Sequence, residues 1–199
     1  MLQAMRHLHT LLIALGMAVF TAPGLAQESA VPTEKLTARE TREVTLDRLF
    51  ASLHRTSDER AAKAVEEKIW ELWSRFDSPT AEVLLGQAVV AMNAAENTAS
   101  LEILDRIVAS YPAYAEAWNK RATLQFVLGN YDASLKDIEK VLDLEPRHFG
   151  ALAGRGMIYQ SQENWTAALN AYREALSMNP SMTEIKNAIQ ELSKRERDI

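Results

Sequence analysis

Histidine is the side chain best suited to move a proton or hold a metal near neutral pH, and this chain has four: His7, His9, His54 and His148. The first two fall in an amino-terminal segment that reads as a removable leader. His54 and His148 are far apart and neither has a spaced histidine partner. A catalytic or metal-binding role needs a second group within reach, so a solvated or locally packed ring is the expected role for each. The acidic pairs Asp58-Glu59 and Glu66-Glu67 read as helix-start charges and solvated faces. Cysteine is absent, which removes disulfides, thiolate metal sites, a thiol nucleophile and lipidation on a processed cysteine. No phosphate-binding loop, Gly-x-Ser-x-Gly elbow or metalloprotease helix motif is present. The expectation is a protein without cofactor, metal or catalytic residues. Arg121 and Arg155 are left. They could form a basic ladder for a partner's carboxylates. The favoured reading is structural, with aliphatic stems lying over a helix seam and guanidinium heads bonding a neighbouring Glu or carbonyl.

The elements that would position these side chains repeat. Pro112, Pro146 and Pro180 are evenly spaced, and a constant step of this length is the mark of a stacked helix–turn–helix unit. The units run from Ala81 to Tyr114, from Ala115 to His148 and from Phe149 to Met182. Leu84, Trp118 and Leu152 are equivalent, as are the small residues Ala88, Ala122 and Gly156 one turn later. In the second halves Ser100, Ser134 and Ala168 are followed by Leu104, Ile138 and Tyr172, then by Ile107, Val141 and Ala175. Small residues let two helices approach, and large apolar ones at spacings of three and four fill the seam. Gly129-Asn130 and Glu163-Asn164 separate the halves. Trp118 is expected to pack between the helices of its unit or onto the preceding unit, and Trp165 to be partly buried.

This pattern resembles the tetratricopeptide repeat. The third unit matches best, through Leu152, Gly156, Tyr159, Ala168, Tyr172, Ala175 and Pro180. The second keeps Trp118, Ala122, Tyr131, Ser134 and Pro146, with Arg121 and Gln125 as departures. The first is weaker, with Ala91 and Asn97 where the family has aromatics. The resemblance implies an all-α helical-hairpin solenoid and a concave wall lined by the first helix of each unit. On that stripe lie Leu85, Val89, Met92, Glu116, Asn119, Lys120, Thr123, Phe126 and Met157. Methionine adapts to varied shapes, so these residues are expected to form a groove for an apolar or amphipathic segment of a partner protein. The competing expectation is that the chain's own terminal helix or linker fills the groove. Family members that clamp a carboxylate use several Lys, Arg and Asn; only Asn119 and Lys120 stand here, so that clamp is not expected.

The flanks fit a stack that needs ends. Residues 45–78 read as a degenerate first unit, with a short helix over Leu46 to His54. A longer helix runs through Phe76, capped by Asp58 or Ser57, with Ala62, Val65, Ile69, Leu72, Trp73 and Phe76 on one face. Residues 183–199 read as a capping helix with Ile185, Ile189 and Leu192 on one stripe. Residues 1–26 have the layout of a secretory signal peptide: Arg6, an apolar run from Leu11 to Phe20, then small residues to a cleavage point after Ala26. An uncleaved anchor is the alternative, but the run is about half the ~20 residues a membrane span needs. Residues 27–43 read as a polar, flexible linker, leaving 44–199 as the repeat domain. Localisation in the periplasm follows as the expectation, with no stable membrane insertion after cleavage.

With 22 Lys and Arg against 27 Asp and Glu, the chain is mildly acidic and has no basic cluster. It is a poor match for nucleic acid or anionic lipid. The expected function is a non-catalytic periplasmic scaffold or adaptor that binds a peptide segment of partner proteins in cell-envelope assembly or maintenance. The alternative is a holdase for an exported polypeptide, for example in cytochrome maturation. An enzyme of unknown type is a minor alternative.

Overall fold

The structure, a computed structural model, describes residues 37–197. The expected leader 1–26, its cleavage site and the first part of the expected linker lie outside these residues. Among the described residues the chain forms nine helices: α1 (Ala38–Arg55), α2 (Glu59–Ser74), α3 (Pro79–Asn93), α4 (Asn97–Ser110), α5 (Ala115–Val127), α6 (Tyr131–Leu144), α7 (Phe149–Ser161), α8 (Trp165–Met178) and α9 (Thr183–Arg197). The helices α3–α4, α5–α6 and α7–α8 are the three expected hairpins. α5 and α7 each also pack on the hairpin before them, and α9 packs on α8. None of these helices is long and apolar enough to cross a membrane.

The small residues place the helices as their spacing requires. Ser100 Oγ donates to the Ala88 carbonyl at 2.9 Å, and Ser134 Oγ to the Ala122 carbonyl at 2.7 Å. Those hydroxyls spend their donors on the facing helix, so the backbones can close together without an unsatisfied buried group. In the third unit Gly156 and Ala168 do this by size alone. Leu104 and Ile107, Ile138 and Val141, then Tyr172 and Ala175 fill the three seams, all buried. Each first helix ends in a left-handed residue at the same step: Ala95 (φ 58°), Gly129 (φ 77°) and Glu163 (φ 58°). Behind each, a 6→1 backbone bond closes the helix: Glu96 N to Ala91 O, Asn130 N to Gln125 O, and Asn164 N to Tyr159 O, each 2.9 Å. This is the Schellman closure that glycine normally serves.

The amino-terminal helices depart from expectation in length and in placement. α1 begins at Ala38, inside the segment 27–43 read as a linker. Thr37 caps it in a reciprocal box: Thr37 Oγ1 accepts from Glu40 N (3.2 Å) and Glu40 Oε2 accepts from Thr37 N (2.8 Å). That pairing sets a start that apolar periodicity did not mark. Asp58 caps α2, accepting from Ala61 N at 2.7 Å. The helix stops at Ser74 rather than running through Phe76. Arg75 is extended, and Phe76 turns aside to stack on Tyr114, with ring centroids 4.5 Å apart.

The α1–α2 hairpin lies across the turns that join the later units. Trp73 stacks on His148 at 4.1 Å and packs on Phe149, and its Nε1 donates to Glu145 at 3.4 Å. The Tyr114 hydroxyl donates to the Ser74 carbonyl. His54 Nε2 meets the Ser177 carbonyl at 2.8 Å, and Asn179 Nδ2 donates to Glu66 at 2.9 Å. Arg147 Nη1 pairs with Asp47 at 2.7 Å while its guanidinium lies over the Phe50 ring. One core cluster therefore unites Leu46, Phe50 and Leu53 of α1 with Ile69 and Trp73 of α2 and with Phe149.

Candidate functional site

Two of the expected groove residues serve the stack itself. Leu85 is buried in the first core cluster, and Met92 packs against the same cluster. Val89 is half-buried. The apolar wall expected in the first unit is therefore largely interior to the repeat.

Glu116, Asn119 and Lys120 are brought together, but beneath α2. Glu116 is only 1% exposed. Its Oε2 accepts from Asn119 Nδ2 at 3.0 Å and faces His148 Nε2 at 3.1 Å. Lys120 Nζ lies 2.9 Å from Oε1, a contact of charges rather than an aligned hydrogen bond. His148 Nδ1 accepts from Ala151 N at 3.1 Å and so caps α7. The ring therefore carries its proton on Nε2 and donates it to Glu116. Burial opposes ionisation of Glu116, but hydrogen bonding from His148 and the Lys120 charge outweigh it and hold the carboxyl below its ordinary value. Lys120 also lies over the Trp70 ring, 5.6 Å from its centroid. Trp70 reaches this far because Gly150 has no side chain: a Cβ there would sit 2.5 Å from the ring. This part of the wall is covered by α2, not by the terminal helix or linker that the competing expectation named. Of the solvated or locally packed ring expected for His148, the structure shows the packed one, and its aromatic partners Trp70 and Trp73 come from a helix whose docking no sequence signal marked.

Phe126 and Met157 behave differently. They line an open hollow of about 500 Å³ with Gln160, Trp165, Tyr172 and Arg195. Met157 is 44% exposed. Phe126 rests half-buried on the Tyr131 ring, centroids 5.7 Å apart. Thr123 is exposed, and its hydroxyl donates back to the Asn119 carbonyl at 2.9 Å. The Tyr172 hydroxyl donates to Gln160 Oε1 at 2.7 Å, and burial pushes its pKa up to about 12. The exposed Arg195 guanidinium lies 5.7 Å from the centre of the Trp165 ring. The hollow thus offers a thioether and aromatic surface with Arg195 and Glu191 at its rim. Trp165 and Arg195 were not among the expected groove residues. Their signal was weak: Trp165 opens a second helix, and Arg195 belongs to a tail whose charges alternate in sign.

Arg121 takes the structural role favoured for it. It forks onto Asp137 at 2.8 and 2.6 Å, reaches Asp105 of the preceding unit at 2.8 Å and covers the Trp118 ring. Arg155 pairs with Glu174. Neither faces the hollow.

A family model for the tetratricopeptide repeat matches residues 85–147 and 120–183. The chain is 40% identical over 159 residues to a TPR repeat-containing protein of Rhizobium etli, a match spanning 80% of this chain and 78% of that protein. It is 30% identical over 87 residues to the SGT1 homolog of Bos taurus, which is 44% of this chain and 26% of that one. Among solved structures, the first TPR of Spaghetti (RPAP3), bound to the HSP90 peptide SRMEEVD, is similar with a TM-score of 0.58 at 18% identity, covering 61% of this chain and 96% of that one. The crystal structure of MamA is similar with a TM-score of 0.56 at 17% identity, covering 81% of this chain and 86% of that one. At these identities the two structures speak to the fold.

Proposed function

The chain belongs to the tetratricopeptide repeat family, and from that premise we propose that it is a non-catalytic adaptor whose hollow at Phe126 and Met157 holds a segment of a partner protein. The observation that carries this reading is the open thioether and aromatic surface at the carboxyl ends of α5 and α7. Elsewhere on the concave wall Leu85 and Met92 pack into the first unit, and Glu116, Asn119 and Lys120 are engaged beneath α2. A short apolar or amphipathic segment suits the hollow, with an apolar residue against Met157 and Phe126 and a polar flank near Arg195. The similarity to a domain solved with a bound peptide supports a peptide as the ligand class. A long unfolded client would need the whole wall, and α2 takes part of it, which favours the adaptor over the holdase.

The proposed setting is the periplasm, reached by export and cleavage after Ala26, with a role in cell-envelope assembly or maintenance. The sequence pattern of residues 1–26 supports it.

A photo-crosslinking residue placed at Met157 in living cells tests both parts. The expected result is a discrete adduct in the envelope fraction, absent when the crosslinker is at exposed Glu139 on α6. The mature chain in that fraction is expected to begin at Gln27. Equal labelling from both positions would sink the hollow as a site. A mature chain found only in the cytosol would sink the setting.

A further inference from the structure

The constant step of the repeat allows one face of the stack to be compared with its own copies. In the second unit Ala117 and Leu124 lie at the seam against the preceding hairpin, and in the third unit Ala151 and Ile158 do the same. All four are buried, with Leu124 at 1% and Ile158 at 0% exposure. Their equivalents in the first unit are Val83 and Val90, which are 61% and 68% exposed. With Gly86, Gln87, Ala99 and Ile103 they form one continuous apolar surface on α3 and α4. This is a seam without its preceding hairpin, because α1–α2 is docked on the turns of the later units instead.

The surface is also less polar than its buried counterparts. At the equivalent positions of the next unit, Arg121 and Asp137 form a forked ion pair; here stand Gln87 and Ile103. Glu96, at the edge, is the only charge in its lining. An end unit that faces water is expected to be more polar than an internal one, not less. Exposed contiguous apolar surface of this kind marks an interface.

We infer that the outer face of α3 and α4, centred on Val83, Val90 and Ile103, joins two copies of this chain about a two-fold axis. Three observations select that occupant. The face carries no central charge, so it can meet its own copy without like charges opposing, and Gly86 has open space above it that permits close helix approach. The opposite end cannot serve as its partner. There α9 buries Ile185 and Leu192 inward and turns Glu184, Lys186, Asn187, Gln190 and Lys194 outward. That polar face does not match the apolar one end to end, whereas two copies of the apolar face match each other and close as a pair. The segment between the expected cleavage point and α1, residues 27–37, is predominantly polar, with Val31 and Leu36 its only large apolar residues. The face is built from helices other than α5 and α7 and stands apart from the proposed peptide hollow, so either can fail without the other.

Sedimentation velocity on the purified chain, expressed from its full-length sequence, tests the pairing. The expected result is a concentration-dependent dimer, weakened at least tenfold by Val90→Lys, with helix content unchanged because Val90 is exposed. The absence of cysteine supplies a second measurement. Val90→Cys is expected to form a disulfide-linked dimer on mild oxidation, whereas Val127→Cys, similarly exposed at 64%, is expected not to. A monomer at every concentration would overturn the inference. So would a Val90→Lys chain that pairs like wild type, or equal crosslinking from both cysteines.

Discussion

Gly156 occupies the place of Ala88 and Ala122, and a Cβ there would run into the Tyr172 ring. The third unit has moved volume from one helix to the other: Gly with Tyr where the first unit has Ala with Leu. Gly156→Ala is expected to destabilise by about 1–3 kcal/mol through overpacking, read as a lower urea midpoint. Adding Tyr172→Leu should recover most of that loss, since the pair then matches Ala88 and Leu104. A second prediction concerns the left-handed positions. Ala95 and Glu163 hold a conformation that costs a residue with a Cβ roughly 1–2 kcal/mol, and each is exposed. Ala95→Gly and Glu163→Gly are each expected to stabilise by about 0.5–1 kcal/mol after the greater entropy of glycine in the unfolded chain is subtracted. Thermal midpoints of the single variants check this. Gly129 announced its turn by residue type. Ala95 and Glu163 did not; they stand one repeat step to either side of it. The residues that pair small with large were equally legible, because close helix packing admits few alternatives at those places.

The three central hairpins were legible because each seam contacts only its sequence neighbours, and local periodicity decides such packing. α1 and α2 were legible as the two helices of a degenerate unit, but not in where that unit docks. Trp70 and Trp73 stand one repeat step before Leu104 and Ile107, which on spacing alone would set them at an in-line seam. Their partners are instead His148, Phe149 and Gly150, at the far end of the second repeat and the start of the third, and nothing local in the sequence couples them. The groove suffered accordingly. Phe126 and Met157 line an open hollow, while Glu116 and Asn119 turn to each other and to His148, and Lys120 lies under Trp70 of α2. Trp73→Ala removes the ring stacked on His148 and the donor to Glu145, and a buried Trp→Ala change costs about 3–5 kcal/mol. The loss is expected to fall on the hairpin. Amide exchange should rise first across α1 and α2 and leave α5 to α8 largely protected. Uniform loss of protection would show that hairpin and stack unfold as one unit. Trp118 is half-buried, with its Nε1 on the Pro112 carbonyl and Arg121 over its face. Trp118→Ala should therefore cost about 2 kcal/mol, less than a fully buried ring would.

At the scale of the whole molecule, one carboxylate joins the parts that the repeat alone does not hold together. Glu116 lies in the first turn of α5, takes a proton donor from His148 at the start of α7, and holds Lys120 beneath Trp70 of α2. Its folded pKa is lowered from 4.5, the value taken for the unfolded chain. Between those two values the unfolded chain binds the proton and the folded one does not. The contribution of Glu116 is therefore complete above pH ~4.5 and is lost as the pH falls through its lower folded value. Protonation would leave the Lys120 charge without its partner under the Trp70 ring. Glu116→Gln keeps the shape and removes the titration. It is expected to be less stable than wild type at pH 7, since Lys120 and His148 lose the anion they face. The difference should narrow steadily as the pH is lowered toward 3, as followed by urea unfolding at a series of pH values. A gap between the two chains that stayed constant with pH would mean that Glu116 acts through packing alone. The hairpin would then be held by its aromatic contacts and by Arg147, without help from the buried charge.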